Sequence, residues 1–190
     1  MCGQFAVLAS LKAIKDYYEF LKDGGFMFDV DEFYELDSDL LIDLPQETVK
    51  PMNYLPIITN RVDTVVSVLP ARWGLVPHWA KDESFAHKTI NARIETLSEK
   101  ASFKYAYQKR RCLVPMTGFY EKGRYFPNND ERMKSFAGLY EVWERRNSEV
   151  GIVTFTVVTC PADERVLDIH HRMPVVLDER QAVGWMNYEL

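Results

Sequence analysis

The second half of the chain is a succession of apolar, β-branched segments separated by turn residues, and this pattern constrains the fold most. Turn residues at 128–130 and 146–148 divide it. Strands joined by such turns favour a mainly antiparallel β core. Together with one earlier segment, the predicted strands are 62–69, 112–115, 118–121, 136–143 and 151–159.

Three segments have the spacing of helices. Residues 10–22 begin with Ser10, a good N-cap, and place apolar residues on one face. Residues 93–109 have apolar residues on one face as well, and residues 178–186 begin with Asp178, a second N-cap. The sequence therefore predicts one α+β domain over residues 1–190.

The charge distribution bears on the class of partner. The chain of 190 residues has a net charge of −5, which at first sight argues against a nucleic-acid partner. Nine acidic residues and no Lys or Arg lie in segment 23–49, so the remainder carries +4 and could bind phosphates. The simpler interpretation of this acidic segment is a solvated loop and helix face.

Cysteine usage and apolar runs bear on the compartment. The chain has three cysteines, Cys2, Cys112 and Cys160, an odd number without the spacing of a metal site. This favours a reducing, cytoplasmic location, and we expect Cys112 and Cys160 to be buried. We expect no signal peptide and no membrane-spanning segment, because no apolar run is long enough.

The chain begins Met1-Cys2-Gly3, and removal of Met1 would leave an amine and a thiol on adjacent carbons of Cys2. The amine can condense with an aldehyde to an imine, and the thiol can then close a thiazolidine ring. A cationic neighbour would lower the pKa of the thiol from about 8.5. The alternative is a chance cysteine in a frayed terminus.

Two further segments carry polar residues suited to chemistry. Asn91 and Arg93 precede the predicted helix, where an Arg and free backbone amides could hold a phosphate; Asn91 could instead simply cap the helix. Glu121 ends an apolar segment between aromatic residues, where burial would make it a usable acid and base. It could also be an ordinary outward-facing strand residue.

The histidine pair at 170–171 raises the question of a metal. Adjacent histidines point in different directions, and no further ligand has the required spacing, so we expect no metal and a single imidazole as proton shuttle. Arg72, Trp73 and Trp79 combine a cation with aromatic rings, a pattern typical of single-stranded nucleic-acid binding. The alternative is that the tryptophans belong to the core.

Taken together, these segments resemble the SRAP (SOS response-associated peptidase) family, whose members crosslink to abasic sites in single-stranded DNA. The motifs occur in the family's order and cover nearly the whole chain. They are Met1-Cys2-Gly3, 53–56, 72–79, 91–96, 111–115, 118–121, 136–141 and 170–174.

The resemblance implies a barrel-like, mainly antiparallel β core flanked by helices, and it implies catalytic residues. Cys2 matches the nucleophile that forms the thiazolidine, and Asn91 the residue that positions it. Glu121 matches the acid/base carboxylate, and His170 the first histidine of the family motif.

The resemblance also implies a DNA-binding surface. Arg93 matches a phosphate contact, and Arg72 and Trp73 line the same surface. Family members commonly have Arg at the position of Gln4 and Trp at the position of Lys122, so this chain differs at two positions near the site.

The implied function is capture of abasic sites in single-stranded DNA as a covalent crosslink through Cys2, with possible lyase activity. A thiol-dependent (auto)peptidase using Cys2, Glu121 and His170 is the alternative, and a non-catalytic single-stranded DNA-binding module is a third. We expect a monomer without cofactor, metal or membrane partner, cytoplasmic and associated with the nucleoid when acting on DNA.

Overall fold

The computed structural model describes residues 2–28, 41–62, 64–128, 130, 132–144 and 151–189. Two connected β-sheets dominate these ranges. In chain order the strands are Gln4–Val7 (β1), Met27–Phe28 (β2), Gln46–Val49 (β3), Tyr54–Val62 (β4), Val65–Trp73 (β5), Asn91–Arg93 (β6), Arg111–Met116 (β7), Gly118–Glu121 (β8), Arg124–Pro127 (β9), Lys134–Glu144 (β10), Gly151–Pro161 (β11), Arg172–Pro174 (β12) and Val176–Leu177 (β13).

The helices are short and lie between or after the strands. They are the α-helices Leu11–Tyr17 (α1), Lys104–Lys109 (α2) and Glu179–Met186 (α3), and the 3-10 helices Tyr18–Lys22, Glu83–Lys88 and Ile94–Thr96. The predicted caps of α1 and α3 are confirmed, because Ser10 accepts from Ala13 N and Asp178 forms a capping box with Gln181.

The predicted helix over 93–109 is wrong in its first half. Residues 91–93 form β6, and a single 3-10 turn follows before α2 begins at Lys104. The apolar spacing misled because Leu97 packs into the core while Ile94 is exposed. A helix N-terminus for phosphate binding is therefore absent at Arg93 in the described chain.

Five strands close into a barrel in the order β5, β4, β7, β10, β11 and back to β5. Four of the contacts are antiparallel, and the closing β11–β5 contact is parallel, pairing Thr154 with Arg72 and Phe155 with Trp73. With an odd number of strands the directions cannot alternate all the way round, so one neighbouring pair has to be parallel. The predicted α+β class with a mainly antiparallel, barrel-like core is confirmed.

A second sheet lies against the barrel and carries the N-terminus. Its order is β3–β1–β8–β9, and β1 pairs with β8 through Gln4–Tyr120, Phe5–Phe119 and Ala6–Gly118. Phe5 joins the two sheets, since its ring contacts Trp73 and Phe136 of the barrel. This packing fixes the start of β1, and with it Cys2, against the barrel.

The acidic segment at 23–49 is described only at its ends. Those ends contain β2, which pairs with β5, and β3, which pairs with β1. Residues 29–40 lie outside the described residues. In the described ranges no helix is long and apolar enough to cross a membrane.

Candidate active site

Cys2 is fully buried where β1 meets the barrel. Its thiol donates to the carbonyl of Gln4 at 3.5 Å. Burial, with a contribution from the negative charge of Glu121, raises the pKa of the Cys2 thiol to about 12. Burial therefore dominates at this site and favours the protonated thiol of Cys2. The predicted removal of Met1 concerns a residue outside the described ones.

Asn91 holds the backbone of Cys2 in place. Its side-chain Nδ2 donates to the Cys2 carbonyl at 2.6 Å, a contact between residues 89 apart in sequence. Asn91 begins β6, which pairs in parallel with β11 opposite Val157. Asn91 does not cap a helix. Its Oδ1 is buried and has no hydrogen-bond partner among the described residues, so an acceptor remains available next to Cys2.

Glu121 is the buried last residue of β8. Because β8 pairs with β1 through Tyr120 and Gln4, the next residue along, Glu121, lies beside the residues that precede β1. Its charge acts on the Cys2 thiol, as the raised pKa of Cys2 records. The outward-facing alternative for Glu121 is thus excluded.

His170 lies just before β12 and is half-buried. The backbone N–H of Arg172 donates to its Nδ1 at 2.9 Å, so the proton of the neutral ring is on Nε2. The Arg172 carbonyl is 3.1 Å from the same Nδ1 and can accept from a protonated ring. The backbone of Arg172 therefore holds the His170 ring in place.

His171 stacks on His170 with ring centroids 4.4 Å apart, and it is exposed. Partial desolvation and the positive charges of His170, Arg93 and Arg172 lower the pKa of His171. The side chains of His170, Arg93 and Arg172 thus form one electropositive cluster next to β6 and β12. Among the described residues no group of three or more His, Cys, Asp or Glu could hold a metal ion.

Arg172 connects the elements that carry His170 and Arg93. Its guanidinium donates to Glu95 at 2.5 and 2.9 Å and to the Thr159 carbonyl at 2.7 Å. Arg172 is buried, and Glu95 follows β6 directly. Neither Glu95 nor Thr159 is predicted from the sequence to have a role at the site, although Glu95 lies in the motif 91–96 and Thr159 in the predicted strand 151–159.

The two predicted phosphate-binding arginines differ in their surroundings. Arg93 is exposed at the end of β6, and its side chain has no hydrogen-bond or ion-pair partner among the described residues. Arg72 is half-buried and donates to Glu83 at 2.6 Å, so its charge is neutralised within the protein.

Trp73, predicted to line the DNA-binding surface, is fully buried. Its ring packs against Phe5 and Phe155, and its Nε1 donates to the Ile90 carbonyl at 2.8 Å. A buried ring offers no face to a base, so direct DNA contact by Trp73 is excluded in this structure and the core alternative applies. Trp79 is the exposed ring of this segment, at 47%.

Comparisons with known proteins identify the family of this chain. The family model described as "SOS response associated peptidase (SRAP)" matches residues 1–190. The abasic site processing protein YoqW of Bacillus subtilis is 35% identical over 200 residues, covering 98% of this chain and 80% of that protein. HMCES of Mus musculus, also named an abasic site processing protein, is 30% identical, covering 76% of this chain and 54% of HMCES.

Solved structures show the same fold. A protein from Bacteroides thetaiotaomicron superimposes with a TM-score of 0.76 and 29% identity, covering 100% of this chain and 82% of that chain. A phage-related protein from Bordetella bronchiseptica has a TM-score of 0.66 and 27% identity, covering 97% of this chain and 81% of its own.

Proposed function

Because the chain belongs to the SRAP family of SOS response-associated peptidases, we propose that it captures abasic sites in single-stranded DNA as a covalent crosslink through Cys2. Relatives named abasic site processing proteins support this function. The observation that carries it is the hydrogen bond from Asn91 to the Cys2 carbonyl, which fixes Cys2 beside the buried carboxylate of Glu121. In this proposal the whole chain acts as one domain and as a monomer, in the cytoplasm.

The first half of the reaction opens the sugar and forms a C–N bond. His170, protonated on both ring nitrogens, donates its Nε2 proton to the ring oxygen while the C1 hydroxyl loses its proton to solvent, which exposes the C1 aldehyde; His170 then recovers a proton from solvent. After loss of Met1, the Cys2 amine attacks this carbon and gives a carbinolamine. Glu121 takes up one proton from solvent and passes it to the departing hydroxyl, so one water leaves and an iminium ion forms.

The second half closes the ring. The Cys2 sulfur attacks the iminium carbon, a C–S bond forms, and the thiol proton passes to the Glu121 carboxylate. Glu121 is suited to this transfer, because its charge already acts on the thiol and the thiol keeps its proton until attack. Glu121 then releases the thiol proton to solvent and is again a carboxylate. The balance is oligonucleotide plus protein minus one water.

The peptidase alternative has the family description in its favour. A cysteine peptidase works through a thiolate, which a cationic neighbour or a paired imidazole stabilises. The raised pKa of Cys2 opposes a resting thiolate. Self-cleavage after Met1 remains the form of this activity compatible with the site, and turnover of a peptide would establish it.

A denaturing-gel assay with an abasic single strand tests the proposal. Wild type is expected to give a heat- and salt-stable adduct, while Cys2→Ala is expected to give none but to keep reversible binding. The matched substrate is the same strand with its aldehyde reduced to an alcohol, which should give no adduct with either protein. A stable adduct on the reduced strand, or with Cys2→Ala, would contradict thiazolidine capture.

A further inference from the structure

The hairpin that follows Glu121 carries two exposed cations. Lys122 and Gly123 join β8 to β9 with φ of +49° and +81°, and Glu121 pairs with Arg124 across the turn. Positive φ at both central positions is the geometry of a tight two-residue hairpin turn. The turn therefore holds the exposed side chains of Lys122 and Arg124 close to the buried Glu121.

Within the described part of the chain, neither of these two charges is paired with a carboxylate. Among the described residues, no carboxylate lies within 4.0 Å of the Lys122 ammonium or the Arg124 guanidinium. Arg124 lies over the ring of Phe126 at 5.3 Å, which orients the guanidinium and leaves its charge in place. Arg72 and Arg172 differ, because each is paired with a glutamate.

The strand register sets this hairpin beside Cys2. Tyr120 pairs with Gln4, so Glu121 and Lys122 run alongside the residues that precede Gln4. Gln4 contributes no charge, and its side-chain amide donates to Thr48 Oγ1 at 3.2 Å. Arg93, a further cation without a partner among the described residues, belongs to β6, the strand that holds Cys2 through Asn91. Cations on two separate elements thus approach the same residue.

We propose that Lys122 and Arg124 bind the backbone phosphate of a nucleotide adjacent to the abasic site. The inference rests on the proposed function, because that function makes single-stranded DNA the ligand of this surface. In a chain with a net charge of −5, non-specific attraction to DNA is weak, so local cations next to Cys2 decide affinity.

The test measures the salt dependence of reversible binding to a single strand whose abasic site is reduced and cannot react. We expect Lys122→Gln and Arg124→Gln each to weaken binding and to lower the slope of log K against log salt by about 0.7, and the double variant by about 1.4. Arg124→Lys keeps the charge and should retain the wild-type slope. Lys12→Gln, on α1 beyond the far end of β1, removes one exposed charge and should change nothing.

The proposal is overturned if the double variant has the wild-type slope, or if Lys12→Gln lowers the slope as much as Lys122→Gln. Crosslinking of the aldehyde-bearing strand is measured in parallel on wild type. A protein that forms no adduct, yet loses slope in the hairpin variants, would contradict the covalent function and support the hairpin phosphate site. Failure of the covalent function and failure of the hairpin phosphate site therefore give different experimental results.

Discussion

The Asn91 side chain donates a 2.6 Å hydrogen bond to the Cys2 carbonyl and fixes Cys2 against β6. Since only one donor makes this contact among the described residues, its removal should loosen Cys2 without disturbing the barrel. The consequence is kinetic: a displaced amine and thiol spend less time near the reacting carbon.

Asn91→Ala is expected to slow crosslinking roughly fivefold, the rate equivalent of one net hydrogen bond of about 1 kcal/mol. Asn91→Asp should be slower still, because it sets a carboxylate oxygen against the Cys2 carbonyl. Single-turnover rates at saturating protein measure both effects. Wild-type rates for Asn91→Asp would contradict a positioning role.

Trp73→Phe is expected to destabilise the fold by about 2–4 kcal/mol, because the substitution leaves a cavity and removes the hydrogen bond to Ile90. Trp79→Ala should change the free energy of unfolding by less than about 1 kcal/mol. Urea unfolding measures both. A Trp79→Ala variant that is less stable than Trp73→Phe would contradict the burial of Trp73.

Stacking of Trp79 on a base would be detected in a separate measurement, because its removal would then weaken single-strand binding by about 1–3 kcal/mol.

The sequence does not predict which of these two tryptophan rings is buried. Trp73 and Trp79 stand in one motif with similar neighbours, and only closure of the barrel by the parallel β11–β5 contact decides which ring is buried. The strands were predictable because β-branched runs and turn residues are local signals. The contact between Asn91 and Cys2 spans 89 residues and had no local signal apart from the family resemblance.

The helix predicted from residue 93 begins only at Lys104, for a related reason. Ile94 and Leu97 have helical spacing, yet the pairing of residues 91–93 with β11 and the anchoring of Glu95 by Arg172 impose a strand and a short turn. Tertiary contacts override local propensity here. The single-domain boundary and the catalytic roles stay predictions.

Glu95→Gln should lower stability at neutral pH by about 1 kcal/mol, since it removes the charge that Arg172 binds. Arg172 lowers the pKa of Glu95 in the folded state, so the stabilisation is present above the unfolded pKa of about 4.3 and is lost as the pH falls through the folded value.

The difference in urea midpoint between wild type and Glu95→Gln is therefore expected at pH 7 and should shrink on acidification below about pH 4. Glu99→Gln, an exposed residue one turn away, is the control and should match wild type throughout. A difference between wild type and Glu95→Gln that grows on acidification would contradict the ion pair.

The raised pKa of Cys2 predicts that the folded chain contains no Cys2 thiolate at neutral pH. The thiolate ultraviolet absorbance of wild type minus that of Cys2→Ala should stay flat up to about pH 10. A thiolate that appears with a midpoint below about pH 8.5 would instead support an activated peptidase nucleophile.

The most direct test of covalent capture is the intact mass of the protein after incubation with an abasic single strand. We expect a species that has lost Met1 and gained the mass of the oligonucleotide minus one water, dependent on Cys2 and on the aldehyde. Protein without Met1 that stays unmodified in the presence of the aldehyde strand would contradict the proposed function.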